Sequence, residues 1–169
     1  TTVIVKIPFK IGTQDENSNL SDKPVRLDDY SVEGMRALVV EDNELNMEID
    51  RCILEESSME VTCAVDGKEA VEIFEKSEPD YFGVIYMDIM MPRMNGLDAA
   101  RTIREMKRRD AKRIPIIAIS ANSFAEDIIN SRMAGMNVHL AKPLDAEKMI
   151  VALKQCMADN SDVKLHEDL

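Results

Sequence analysis

Asp88 carries the most chemical promise in this chain. It closes the apolar run Phe82-Gly83-Val84-Ile85-Tyr86-Met87 and opens into Ile89-Met90-Met91-Pro92-Arg93-Met94-Asn95-Gly96. The run reads as a buried strand and the stretch bearing Pro and Gly as a loop. A carboxylate there sits at the carboxyl end of a parallel strand, where open α/β sheets place their ligands. Glu41 and Asp42 end an earlier apolar run in the same way. A later run ends in Ser120-Ala121, and Lys142-Pro143 comes shortly after His139-Leu140. Three carboxylates, a hydroxyl and a lysine thereby converge on one sheet edge. Acids so placed repel one another in a partly desolvated cleft unless a positive charge intervenes. Mg²⁺, with Mn²⁺ as a substitute, suits them because hard cations take oxygen ligands. Asp88 can then act as nucleophile toward a phosphoryl donor and form an acyl phosphate. Lys142 and the metal would neutralise the equatorial oxygens, and Ser120 with the backbone N–H of Ala121 would bind them.

The elements that must position these residues emerge from hydrophobic periodicity. Strands are expected at Arg36–Val40, Glu60–Val65, the run before Asp88, Ile114–Ile119 and Asn137–Leu140. Helices are expected over 43–56 (Leu45, Met47, Ile49, Ile53 and Leu54 recurring at mostly helical spacing), 67–77 (Ala70, Val71, Phe74) and 96–109 (Leu97, Ala100, Ile103, Met106). Two more are expected, over 124–133 with Ala134-Gly135 as a C-terminal cap, and from the capping Asp145 to about Met157. Five βα units in succession demand a doubly wound five-stranded parallel α/β sheet with right-handed crossovers and helices on both faces. Flavodoxin-like order, 2-1-3-4-5, is natural at this size and sets Glu41, Asp42 and Asp88 side by side.

At 169 residues the chain has room for one ordinary domain plus a tail, and not for two cores. A net charge of −11 argues against a nucleic-acid partner, which needs a basic footprint. The basic clusters Lys107-Arg108-Arg109 and Lys112-Arg113 read as a solvated helix end. Cys52, Cys63 and Cys156 form no metal-ligand spacing and read as reduced core thiols, which points to the cytoplasm. No run is long enough to span a bilayer and there is no signal peptide, so any membrane anchor would belong to a longer parent. The chain opens on Thr1 rather than Met, like a piece of something larger. Residues 1–11 alternate Val3, Val5, Ile7 and Phe9 as a strand, 12–34 read as an acidic flexible linker, and 158–169 as a frayed tail.

From Met35 to about Met157 the chain resembles a response-regulator receiver domain. The resemblance rests on Glu41-Asp42, on Met87-Asp88-Ile89-Met90-Met91-Pro92 with Gly96, on Ser120-Ala121 and on Lys142-Pro143. It implies that Asp88 is the phosphoacceptor, that Asp42 binds Mg²⁺ directly and Glu41 through water, and that Met90 adds its backbone carbonyl. Ser120 would be the switch hydroxyl and Lys142 the counter-ion. Met90 and Asn122 hold positions that tune dephosphorylation in the family. One departure stands out. The family often has Tyr or Phe three residues before the lysine, and here that position is His139, read as a half-exposed strand residue rather than a working switch.

The opening strand, Thr1–Phe9, resembles the last strand of the ATP-binding domain of sensor histidine kinases. Together the two resemblances imply the receiver of a hybrid histidine kinase. It would take phosphate from a phosphohistidine of the kinase and pass it to a histidine phosphotransfer protein, catalysing its own aspartyl phosphorylation and dephosphorylation. A stand-alone receiver acting as a phosphate sink or docking switch is the alternative. An aspartyl-nucleophile phosphatase fits less well, because Met90 stands where that chemistry adds a second acid. Flavin binding is disfavoured by Glu41-Asp42-Asn43, acidic where a phosphate cradle belongs.

Overall fold

The computed structural model describes residues 30–121 and 124–167, with side chains to residue 159, and each of the five apolar runs expected as a strand within them is one. The opening strand and residues 12–29 of the expected linker lie outside the described residues, as does Asn122. In chain order the elements are β1 (Arg36–Val40), α1 (Glu44–Glu56), β2 (Glu60–Ala64), α2 (Gly67–Lys76) and β3 (Val84–Asp88). They continue as α3 (Gly96–Glu105), β4 (Ile116–Ser120), α4 (Ala125–Met133), β5 (Val138–Ala141) and α5 (Ala146–Glu167). All strand pairs are parallel, in the order β2-β1-β3-β4-β5, as expected.

Alternation along the strands splits the core in two. Leu38, Val40, Ile85 and Met87 pack on one face with Phe74 of α2 and Ile103 of α3. Ala37, Val39, Val84 and Tyr86 pack on the other with Leu54 of α1 and Met149 and Leu153 of α5. Burying each of the Val, Leu, Ile, Met and Phe side chains among these stabilises the fold by about 1.5–3 kcal/mol. Tyr86 also ties the central strand to α5, its hydroxyl donating to the carbonyl of Met149 at 3.0 Å. Four helices start on a side-chain cap. Asn43, Asp66, Asn95 and Asp145 accept from the backbone N–H of Asn46, Glu69, Asp98 and Lys148 at 2.8–3.0 Å, each worth about 1 kcal/mol. Gly135, at φ +88°, turns the chain out of α4, and its N–H donates to the carbonyl of Arg132.

The structure corrects several boundaries and faces. β4 begins two residues later than expected, because Pro115 has no N–H for the ladder and the N–H of Ile114 is spent on Asp110. α3 ends at Glu105 rather than Arg109, so the basic stretch lies beyond the helix; Lys107, Arg109, Lys112 and Arg113 are solvated as expected, but Arg108 is not. Arg108 is largely buried, with its guanidinium 4.2 Å above the Phe74 ring. That guanidinium also donates to the carbonyls of Phe74, Ser77 and Glu78 and pairs with Asp110. The helix must break for Arg108 to reach beneath α2. α5 runs to Glu167, ten residues past Met157, through a stretch with no Gly or Pro to stop it. On α1 the buried residues are Asp50 and Leu54, while Leu45 and Ile49 are exposed. Of the three free cysteines only Cys156 is buried, and Cys52 is exposed.

Candidate functional site

Parallel strands end on the same side, so one edge of the sheet gathers the residues at and just beyond their carboxyl ends. Asp88 is the last residue of β3 and Ser120 the last of β4. Glu41 and Asp42 come directly after β1, and Lys142 directly after β5. β1 and β3 are hydrogen-bonded neighbours although their connection runs through β2. The topological switch point therefore sets Glu41 and Asp42 against Asp88. One carboxylate oxygen from each lies within 4.8 Å of the others. Glu41 and Asp88 are buried and Asp42 is exposed, so the cluster opens to solvent on one side.

Lys142 reaches in from β5. Its Nζ donates to Oε2 of Glu41 at 2.6 Å and to Oδ2 of Asp88 at 2.5 Å. Burial works against the ammonium charge, but these two carboxylates outweigh it and the lysine pKa rises. Glu41 is raised in turn, by burial first and by Asp88 further, against the lowering effect of Lys142 and Asn46. The remaining oxygen of Asp88, Oδ1, accepts from the backbone N–H of Met90 at 2.8 Å. That bond fixes the carboxylate and curls the chain so that Met90 stands exposed beside it.

Gly96 makes the curl possible. An ideal Cβ there would lie 2.1 Å from the carbonyl oxygen of Asp88, well inside contact distance. The N–H of Gly96 donates to the carbonyl of Ile89 at 3.0 Å, and the N–H of Ile89 to the carbonyl of Ile119. The loop after Asp88 is thus pinned at both ends. Ser120 is buried, and its carbonyl accepts from the N–H of Lys142 at 2.9 Å, which locks the end of β4 to the residue that supplies the lysine. Ala121 is exposed at the same edge. The Lys142–Pro143 peptide is cis.

His139 is half-buried on β5, with Nδ1 3.3 Å from Oγ of Ser131 on α4. Two residues near the site escaped the sequence reading. Asn46 donates from Nδ2 to Oε1 of Glu41 at 3.0 Å. Asp50, one turn further along α1, is buried. The signal available for both was their four-residue spacing with Leu54, which places Asn46, Asp50 and Leu54 on one stripe of the helix.

The donor set suits a hard divalent cation, since it offers carboxylate oxygens at short mutual range with an open side for water. Lys142 pairs with two of those carboxylates. The fold and this edge define a doubly wound α/β domain with an acid cluster and a lysine at its switch point. The chain belongs to the response regulator receiver domain family, whose model matches residues 37–154, and it is a receiver domain of two-component signalling.

Among its relatives is probable histidine kinase 2 of rice (Oryza sativa), 36% identical over 137 residues, or 75% of this chain. The chain spans only 13% of that protein's length. The polar-differentiation response regulator DivK of Brucella ovis is 30% identical over 72% of this chain and 95% of its own. The receiver domain of a Pseudomonas aeruginosa sensor histidine kinase, solved with a magnesium ion coordinated in its active-site cleft, superposes with a TM-score of 0.66. It is 34% identical and covers 74% of this chain and 98% of its own. No helix among the described residues is long and apolar enough to cross a membrane.

Proposed function

We propose that this receiver takes a phosphoryl group from a phosphohistidine onto Asp88 and passes it to a histidine phosphotransfer protein. The observation that carries the reading is the position of Lys142, a cation drawn across the cleft onto Glu41 and Asp88. Glu41, Asp42 and Asp88, with the backbone carbonyl of Met90, would hold Mg²⁺, which supplies charge neutralisation for the phosphoryl oxygens.

In the forward step an oxygen of the Asp88 carboxylate attacks phosphorus. A P–O bond forms, the P–N bond to the donor imidazole breaks, and the electron pair leaves on that nitrogen. Attack requires Asp88 Oδ2 to exchange Lys142 for the incoming phosphorus, while Met90 N–H keeps Oδ1 in place. Lys142 can then track the phosphoryl oxygens. Ser120 and the N–H of Ala121 would cradle them from β4. In the onward step the acceptor imidazole nitrogen forms the new P–N bond and the Asp88 carboxylate is regenerated.

The similarity to histidine kinases supports a parent that is a hybrid kinase, with residues 1–11 as the last strand of its ATP-binding domain and 12–34 as linker. A stand-alone receiver is the second reading, favoured by the near-complete coverage of DivK. The upstream coding sequence separates the two.

The test is intact mass after incubation with acetyl phosphate and Mg²⁺, with and without EDTA. A gain of one phosphoryl group is expected, lost with EDTA and lost in Asp88→Asn. A stable adduct on Asp88→Asn would sink the assignment.

A further inference from the structure

The loop after Asp88 also meets the turn between β2 and α2. Asp66 stands in that turn, only 1% exposed, and its two carboxylate oxygens have different tasks. Oδ1 accepts from the backbone N–H of Glu69 and caps α2. Oδ2 is fully enclosed and accepts no hydrogen bond among the described residues. The guanidinium of Arg93, from the loop, lies against that oxygen as its counter-ion. Exposed ion pairs are usually worth little. This one differs, because the Arg93 side chain is exposed but the carboxylate it meets is buried and cannot turn to water. Beside the pair, the N–H of Gly67 donates to the carbonyl of Met94 at 3.1 Å.

Arg93 has φ +64°, a left-handed conformation that residues other than Gly rarely adopt. It is the centre of a three-residue turn, closed where the N–H of Met94 donates to the carbonyl of Pro92 at 2.8 Å. A turn of that hand is strained, and strain persists only where the surroundings hold it. Asp66 is a firm post for that purpose. At the start of α2, Oε2 of Glu69 accepts from the N–H of Val65 at 2.8 Å. At its end, Arg108 donates to the carbonyls of Ser77 and Glu78. With α2 tied at both ends, the loop is the partner that the ion pair holds still. Three residues before Arg93, Met90 gives its N–H to Oδ1 of Asp88.

We propose that Arg93 is a positioning residue for phosphoryl transfer, anchoring the Met90 loop to Asp66 and thereby holding the Asp88 carboxylate for attack. This role rests on the phosphotransfer reading above. Arg93 touches no reacting atom. It acts through Met90, whose N–H fixes Oδ1 of Asp88 and whose carbonyl is a candidate metal ligand. A small displacement of a positioned group is enough to slow a reaction that depends on alignment.

Two measurements on the full chain test the anchor: amide hydrogen exchange of metal-free protein, and the rate of acetyl-phosphate labelling with Mg²⁺. Arg93→Gly suits the left-handed turn and removes the guanidinium. Its Met90 amide should exchange about tenfold faster, and its labelling should slow about tenfold, the order of one charge-assisted contact. The Ile85 amide of the central strand, bonded to the carbonyl of Pro115, should keep its protection. Asp66→Asn retains a capping side chain and should slow labelling alike. The double variant should be no slower than either single one, since all three lose the same contact. Arg93→Lys, which keeps the charge, should recover most of the lost rate. Wild-type labelling and Met90 protection in Arg93→Gly overturn the proposal and leave the receiver chemistry standing. Faster exchange spread evenly over the sheet overturns it too, because that marks lost stability alone. Failure of the wild-type chain to label removes the phosphotransfer reading, and the role of Arg93 with it.

Discussion

The ammonium of Lys142 lies 2.5 Å from a carboxylate oxygen of Asp88, a contact spanning 54 residues of chain. The same ammonium holds Glu41, so it competes with a divalent cation for two of three candidate ligands. Lys142→Ala is expected to bind Mg²⁺ about tenfold more tightly, a fraction of the roughly 4 kcal/mol that two unit charges exchange at 4 Å near a protein surface. Phosphorylation by acetyl phosphate should slow about a hundredfold, as when one oxyanion donor is removed. Phosphorylated and free forms of the variant should also give nearly the same amide spectrum. Calorimetric titration and a mass time course check the first two, and weaker metal binding would count against the competition.

Gly96 touches the backbone of Asp88 more closely than any side chain permits. In Gly96→Ala the added methyl would start 2.1 Å from the Asp88 carbonyl oxygen and 2.9 Å from Cγ of Met87. The loop must move, at a cost of about 1–3 kcal/mol or more, and it carries the Met90 N–H away from Asp88. Urea unfolding should show the loss of stability, and phosphorylation should fall even in fully folded protein. Wild-type labelling in a variant of wild-type stability would show that the close approach is not needed.

Arg108 and Asp110 make a structural pair away from the acid cluster. Truncation in Arg108→Ala strips the buried Asp110 of its cation and the carbonyls of Phe74, Ser77 and Glu78 of a donor. A loss of roughly 3–5 kcal/mol is expected, with labelling of the folded fraction unchanged. The hydrogen bond from Arg108 holds the Asp110 pKa down at about 2. The resulting stability, roughly 2 kcal/mol, is present above about pH 4 and is lost as pH falls toward 2. Arg108→Ala should therefore flatten the acid limb of the stability profile, as measured by denaturant melts between pH 2 and 5.

Asp50 gives the opposite sign. Its carboxyl titrates near 6 in the fold against an ordinary value of 3.8, so the folded state binds the extra proton between those values. The protein is favoured below pH 4 and loses up to about 3 kcal/mol as pH rises through 6. In Asp50→Asn that slope should vanish, and the variant should gain on wild type from pH 4 to 7. Parallel stability profiles for the two proteins would show that Asp50 is not desolvated.

The order of strands and the four blocks that end them were legible in the sequence. A buried parallel strand must be apolar throughout, and a ligand edge must be polar at its carboxyl end. Those two constraints leave Glu41-Asp42, Asp88, Ser120 and Lys142 as visible breaks in hydrophobic runs. The caps Asn43, Asp66, Asn95 and Asp145 were written locally too, since each serves a backbone N–H three residues on. Only the tertiary structure decided which polar residues went inside. Arg108 looked like one more surface cation after a helix, yet it is drawn under α2 by carbonyls about thirty residues earlier in the chain. Asp50 sat among charged neighbours on a helix whose apolar residues did not all face the core. Its burial beside Lys142 depends on how α1 lies against the turn after β5, a contact between segments ninety residues apart that no local pattern encodes.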